Sequence, residues 1–152
     1  VSITIQSTYL SGPARGFPGM VVNGEDSNRI SRTVEDAAGI AFGLAVFQGA
    51  TDHGVTATPS ANFMGVTIAD AGLIPLPGGA VDTYQQYQTA GILNEGPIIV
   101  TASVAVTPRQ AVYVTSAGAF TNVSTSNTAI PATFDETASS GSPVRIRMRR
   151  NA

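Results

Sequence analysis

The sequence predicts an all-β protein: a single small β-barrel or jelly-roll-like sandwich of short antiparallel strands, preceded by an extended N-terminal arm. Three observations carry this. Large apolar residues alternate with small or polar ones over short runs, the period of a pleated strand. The 152 residues include 16 Gly and 9 Pro, which punctuate the chain too often for long helices. Val, Ile and Thr, stiff at the β-carbon, fill the runs between them and pack well on a pleated surface.

Taken in order, the elements begin with Ser2-Ile3-Thr4-Ile5, which alternates as a strand does. Residues 12–19, Gly-Pro-Ala-Arg-Gly-Phe-Pro-Gly, then favour an extended path. Residues 1–19 are therefore expected to be an arm able to pair with a neighbouring subunit's sheet edge, or to fold back on its own domain. Residues 20–152 form the barrel or sandwich. Met20-Val21-Val22 runs into Asn23-Gly24, a strong hairpin signal, and residues 30–34 alternate as the next strand. In the apolar stretch 39–47, Phe42, Leu44 and Val46 fall on one face and Ala41, Gly43 and Ala45 on the other, a strand pattern. Residues 63–68 read as a strand and 70–79 as a Gly- and Pro-rich loop. Residues 84–93 read as a strand closed by Asn94-Glu95-Gly96, with 97–101 beyond it. Residues 111–115 and 119–121 form a hairpin around Gly118. A polar loop covers 122–130, a short strand 131–135, and a last strand 144–148.

Composition narrows the function. Cysteine, lysine and tryptophan are absent and His53 is the one histidine, so groups that titrate near neutral pH are scarce. His53 lies in a polar turn, with no second histidine and no Gly-x-Ser-x-Gly elbow for a triad. The adjacent carboxylates Glu25-Asp26, Glu35-Asp36 and Asp135-Glu136 make no catalytic pair, because neighbours in a strand point to opposite faces, and in their turn-like contexts they read as solvated residues. No spacing suggests a metal or phosphate site. The expectation is no catalytic residue, no cofactor and no metal.

Only 12% of residues are charged while 43% are hydrophobic, which suits a surface covered by copies of itself or by a larger partner. A net charge of −2 offers no footprint for nucleic acid. The start, Val-Ser-Ile-Thr-Ile, lacks the pattern of a signal peptide, and the stretch 39–47 is too short to span a bilayer. No membrane partner and no export are expected.

Arg145, Arg147 and Arg149 alternate with Val144, Ile146 and Met148, and Arg150 follows. This row reads either as a charged edge strand that blocks sheet growth or as a row meeting carboxylates on a partner. With Ile3, Ile5, Arg15 and Phe17 of the arm, these three arginines are the candidate protein-interaction residues.

Several segments, in order, resemble the bacteriophage structural cement proteins. They are Phe17-Pro18-Gly19-Met20-Val21-Val22, Ile40 through Val46, Phe63-Met64-Gly65-Val66-Thr67, Tyr87 through Ile92, Gly96 through Val100, Ala111-Val112-Tyr113-Val114, Gly118-Ala119-Phe120-Thr121 and Val144-Arg145-Ile146-Arg147. Pro108-Arg109-Gln110 departs from the Gly-Asp that the family tends to place before the Val-Tyr-Val strand. The resemblance implies a homo-dimer or homo-trimer, made in the host cytoplasm, that cements contacts between major capsid protein subunits on the exterior of an icosahedral virion. The rival reading is a β-sandwich module binding glycans or a host surface; tryptophan is absent and four tyrosines are available, two of which, Tyr84 and Tyr87, stand three apart and would face opposite sides of a strand.

Overall fold

The computed structural model describes residues 15–149, which form eleven strands and no helix. They are β1 (Asn28–Val34), β2 (Ile40–Ala41), β3 (Ala45–Gln48), β4 (Gly54–Thr56), β5 (Phe63–Thr67), β6 (Thr83–Tyr84), the long β7 (Thr89–Thr101), β8 (Ala111–Val114), β9 (Phe120–Thr121), β10 (Thr128–Phe134) and β11 (Pro143–Met148). Nine lie in one sheet ordered β1-β4-β3-β5-β7-β11-β10-β8-β9, and β1 also pairs with β7. That extra pairing closes β1, β4, β3, β5 and β7 into a five-stranded barrel. β2 and β6 form a separate ribbon. Its Ile40 and Tyr84 are buried in the barrel core, so the ribbon caps one barrel end. The expected all-β barrel is the fold found.

β7 joins barrel and second sheet. Its first half pairs with β1 and β5, and its second half pairs with β11 from Gly96↔Met148 to Thr101↔Pro143. The turn expected at Asn94-Glu95-Gly96 is therefore a bend inside one strand. Gly96 permits it at φ 113°, where any side chain would be strained and would press on Ser27. Reversing the chain there would strip both halves of their ladder partners, so tertiary pairing overrides the turn residues.

Alternation along the strands fills two cores. Val46, Val55, Ala90 and Ile92 point into the barrel with Val34, Ile40 and Tyr84. Ala45, Phe47, Val66 and Leu93 point outward, and would be solvated in an isolated barrel. Here they pack with Ile98, Val100, Phe120, Phe134, Ile146 and Met148 of the second sheet. The Phe47 and Phe63 rings meet edge-on at 5.7 Å within this layer. Beyond β7 the chain returns to β9, where Ser103 N donates to Phe120 O at 2.8 Å, so the second sheet curls round its own core.

Other expectations are corrected. Asn23-Gly24 makes no hairpin: Val21 and β1 both run antiparallel to β7, along the same edge. A two-residue hairpin turn of that kind needs positive φ at both positions, and neither has it. Instead Asn23 Oδ1 accepts from Glu25 N at 3.1 Å, a side-chain-closed turn that loops out and rejoins the edge. The apolar stretch 39–47 breaks at Phe42-Gly43 into β2 and β3, although Phe42, Leu44 and Val46 do all face the barrel core. The strands are not all antiparallel, since β1 and β4 pair in parallel; the long connection through β2 and β3 makes that crossover possible. β10 begins at Thr128, inside the expected loop.

Candidate protein interaction surface

Ile3 and Ile5 lie outside the described residues. The arm's root is described, and its path is dictated by two glycines. Gly19 N donates to Ile99 O at 2.8 Å, Ile99 N to Met20 O at 3.0 Å, and Ala69 N to Gly19 O at 2.9 Å. Residues 19–22 thus add a short extra partner to β7, on the edge it shares with β1. Gly19 (φ 85°) and Gly43 (φ 71°) lie back to back. A β-carbon on Gly43 would sit 2.6 Å from both Gly19 N and Pro18 Cβ. Only the bare backbone of glycine lets the barrel's β2–β3 turn approach the arm this closely.

Just before this anchor, Phe17 is 56% exposed and helps line a cleft of about 670 Å³ at the capped barrel end. Pro18, Phe42, Leu73, Pro75 and Val81 supply apolar wall, and Asp70 and Asp82 stand among them. The loop between β5 and β6 is pinned at its ends: Gly72 N donates to Asp70 Oδ1 at 2.8 Å, and Phe42 N to Asp82 O at 2.9 Å. Leu73 packs against the barrel core, but three other apolar side chains of the loop face outward, Ile74 being 81% exposed, Val81 74% and Leu76 52%. Exposed apolar residues grouped around a cleft mark a surface that another protein covers. The sequence predicts residues 70–79 as a Gly- and Pro-rich loop and assigns them no contact. The available signal was three large aliphatics between prolines and glycines, where no strand face exists to bury them.

The arginine row does not sit on an edge. β11 is flanked by β7 and β10, and its carboxylate partners come from this chain. Arg145 Nε lies 2.9 Å from Asp135 Oδ2, an ionic contact without hydrogen-bond geometry. Arg147 pairs with Glu25 through both amino nitrogens and with Asp135 at 3.1 Å. Arg15 reaches toward the same strand, its Nη1 3.5 Å from Pro143 O. The fold therefore gathers Arg15, Arg145 and Arg147 near one face of the second sheet, puts Phe17 at the barrel end, and leaves exposed Arg149 beyond β11.

The Glu25–Arg147 clasp staples the 23–27 loop to β11. The arginine's hydrogen bonds, helped by Asn23, hold the Glu25 carboxyl down at about 2, and Glu25 with Asp135 pushes the guanidinium up. A depressed carboxylate contributes stability above its unfolded value of 4.5 and loses it as pH falls toward 2. The clasp's contribution to stability is thus fully present at about pH 5 and above, shrinks as pH falls from 4.5 toward 2, and is gone below about 2, where Glu25 itself protonates. Carboxyl NMR should find Glu25 titrating near 2 in the native protein and back in the ordinary glutamate range in Arg147→Gln; an ordinary value in both would show that the clasp does not form in solution.

The other carboxylates are also not idle turn residues. Glu35 accepts from Thr51 Oγ1 at 2.6 Å and from the Ala50 and Thr51 amides at 2.6 and 3.0 Å, which lowers its pKa. Asp36 accepts from Thr56 Oγ1 and Ala57 N at 2.6 and 2.8 Å. Each ties one loop to β1. His53 is an exposed turn residue. Among the described residues no three His, Cys, Asp or Glu side chains are placed to share a metal ion. Tyr84 is buried against Phe42, ring centroids 5.1 Å apart, with its hydroxyl donating to Ile68 O. Tyr87 is 77% exposed, so the two tyrosines form no joint platform for a sugar.

A capped barrel with an appended sheet and an exposed apolar cleft defines a β-barrel protein with a surface suited to contact with other proteins. The chain belongs to the family described as "Structural cement protein (E217 gp24/Pam3 gp6)", whose model matches residues 5–149. A chain in the structure titled "The capsid of Myoviridae Phage XM1" shares the fold, with TM-score 0.70 and 19% identity over 97% of this chain and 98% of that one. A chain from "The crystal structure of head fiber gp8.5 N base in bacteriophage phi29" has TM-score 0.45 and 14% identity over 83% of this chain and 97% of that one. No curated protein matches the chain. The protein is a structural component of a phage virion with a decorating role, in association with capsid proteins.

Proposed function

We propose that the protein binds the outer surface of an icosahedral head and cements neighbouring major capsid protein subunits, working as a homo-dimer or homo-trimer. It turns over no substrate, and it is made in the host cytoplasm and bound to the head there. One observation carries the reading: Gly19 is hydrogen-bonded to the domain directly beside an apolar cleft lined by exposed Phe17 and Val81, with exposed Ile74 and Leu76 on the same loop as Val81. Ile3, Ile5 and Phe17 supply the apolar grip and Arg15 and Arg149 the charged contacts. Arg145 and Arg147, already paired within the chain, act by presenting the ordered face on which a partner rests. Small contacts of this kind, repeated over many copies and linked by arms, stabilise a shell through effective concentration.

Deleting residues 1–14 tests the arm without disturbing the Gly19 anchor. The truncated protein should melt within a few degrees of the full chain, yet its occupancy on purified heads should fall at least tenfold. Equal occupancy would refute the arm's role.

A further inference from the structure

We infer that Arg32 and Arg149, with Asn28 and Asn94, form a carboxylate-binding pocket that takes an aspartate or glutamate side chain of the capsid protein. The inference rests on the proposed function for its partner, but the pocket itself stands on geometry.

Arg32 is in an unusual place for an arginine. It lies opposite Ala90 in the β1–β7 ladder, as Ile30 lies opposite Ile92, and residues directly opposite share a face of the sheet. Ala90 and Ile92 are in the barrel core, so Arg32 is on the core-facing side of β1. Its Nη1 donates to Ser31 O at 2.9 Å, but its Nε is buried without a partner. The guanidinium as a whole is half-buried, so the amino groups that face the pocket can take a carboxylate partner.

The barrel wall is open beside it. β4 pairs only with Thr33 and Val34 of β1, which leaves the earlier residues of β1 without a strand on that side. Arg32, Ile30 and Asn28 line a pocket of about 320 Å³ with Asn94, Phe63 and Pro131 as further wall and Arg149 among its lining residues. Asn28 Nδ2 donates to Asn94 Oδ1 at 2.7 Å, so the remaining amide hydrogens are donors available to a ligand. Among the described residues neither arginine has a carboxylate within ion-pair distance, in contrast to Arg145 and Arg147. Two guanidinium forks and two amides make a site rich in donors, with apolar contact for a methylene stem. That is the chemistry of a carboxylate side chain. Its size suits one side chain, and an acidic protein of net charge −2 has no basic track to hold a nucleic-acid backbone.

The test begins with the isolated protein and sodium glutarate, followed by the Arg Nε–Hε signals in NMR against a sodium chloride control at matched ionic strength. Saturable millimolar shifts of Arg32 and Arg149, lost in Arg32→Gln and in Arg149→Gln, are expected. Equal shifts with chloride, or none, would overturn the pocket, as would tighter binding of a duplex oligonucleotide. Arg32→Met should melt at the same temperature as the parent or a few degrees higher, because it removes a buried Nε donor that has no partner, while its affinity for cement-free heads should fall roughly thirtyfold. Unchanged head affinity in both Arg32→Met and Arg149→Gln would overturn the assignment to a capsid carboxylate. If the parent protein itself ignores heads, the proposed function fails while the glutarate result stands on its own.

Discussion

Gly43→Ala is expected to unseat the arm's root from the barrel and to destabilise the protein by about 2–4 kcal/mol, from positive-φ strain plus a clash with backbone that cannot move aside. The new methyl would lie 2.6 Å from Gly19 N and from Pro18 Cβ, and 2.8 Å from Pro18 C. Relief requires residues 18–19 to lift, which breaks the Gly19–Ile99 and Ala69–Gly19 hydrogen bonds. Gly118→Ala is the matched control: its φ is 81° but nothing lies near the added carbon, so it reports backbone strain alone, about 1 kcal/mol. Urea denaturation of both variants, with tryptic cleavage at Arg15 as a reporter of the lifted root, separates the two effects. Equal destabilisation by the two substitutions, with no faster cleavage in Gly43→Ala, would mean that the glycine contact does not hold the arm.

Phe47→Ala should cost about 3–5 kcal/mol. Phe47 is fully buried, and it lies on the outside of the barrel, against the second sheet. No side chain nearby can fill the space, because β3 and β5 are locked by their ladder and Phe63 already meets the ring edge-on. The result bears on architecture as well as stability. Since barrel and second sheet share this layer and the continuous β7, calorimetry should show one transition shifted as a whole. Two transitions, with only one displaced, would mean that the halves fold independently and that the arm anchored at β7 braces neither.

The sequence carried the strand character well and the connectivity poorly, for a physical reason. Period-two alternation is local, so β5, β8 and β11 and the core-facing set Phe42, Leu44 and Val46 were readable. Pairing is not local. Asn23-Gly24 and Asn94-Glu95-Gly96 carry turn chemistry, yet the first loops out and the second only bends, because β7 offers a continuous edge that outweighs both. The same blindness hid the site. Arg145 and Arg147 stood out as a pattern, but Asp135 and Glu25, which occupy them, come from distant positions. Arg32, which no carboxylate of the described chain pairs, looked ordinary between Ser31 and Thr33. Ile74, Leu76 and Val81 were passed over because a loop offers no periodicity to read.

The central claim is that this barrel grips a capsid through its arm and its capped end. An electron-microscopy map of the mature particle, resolved well enough to trace side chains, tests it most directly. The account predicts this chain on the outer shell, with residues 1–17 and the loop carrying Ile74, Leu76 and Val81 buried against neighbouring capsid subunits or sister copies. A map in which residues 1–17 and that loop face open solvent would contradict it.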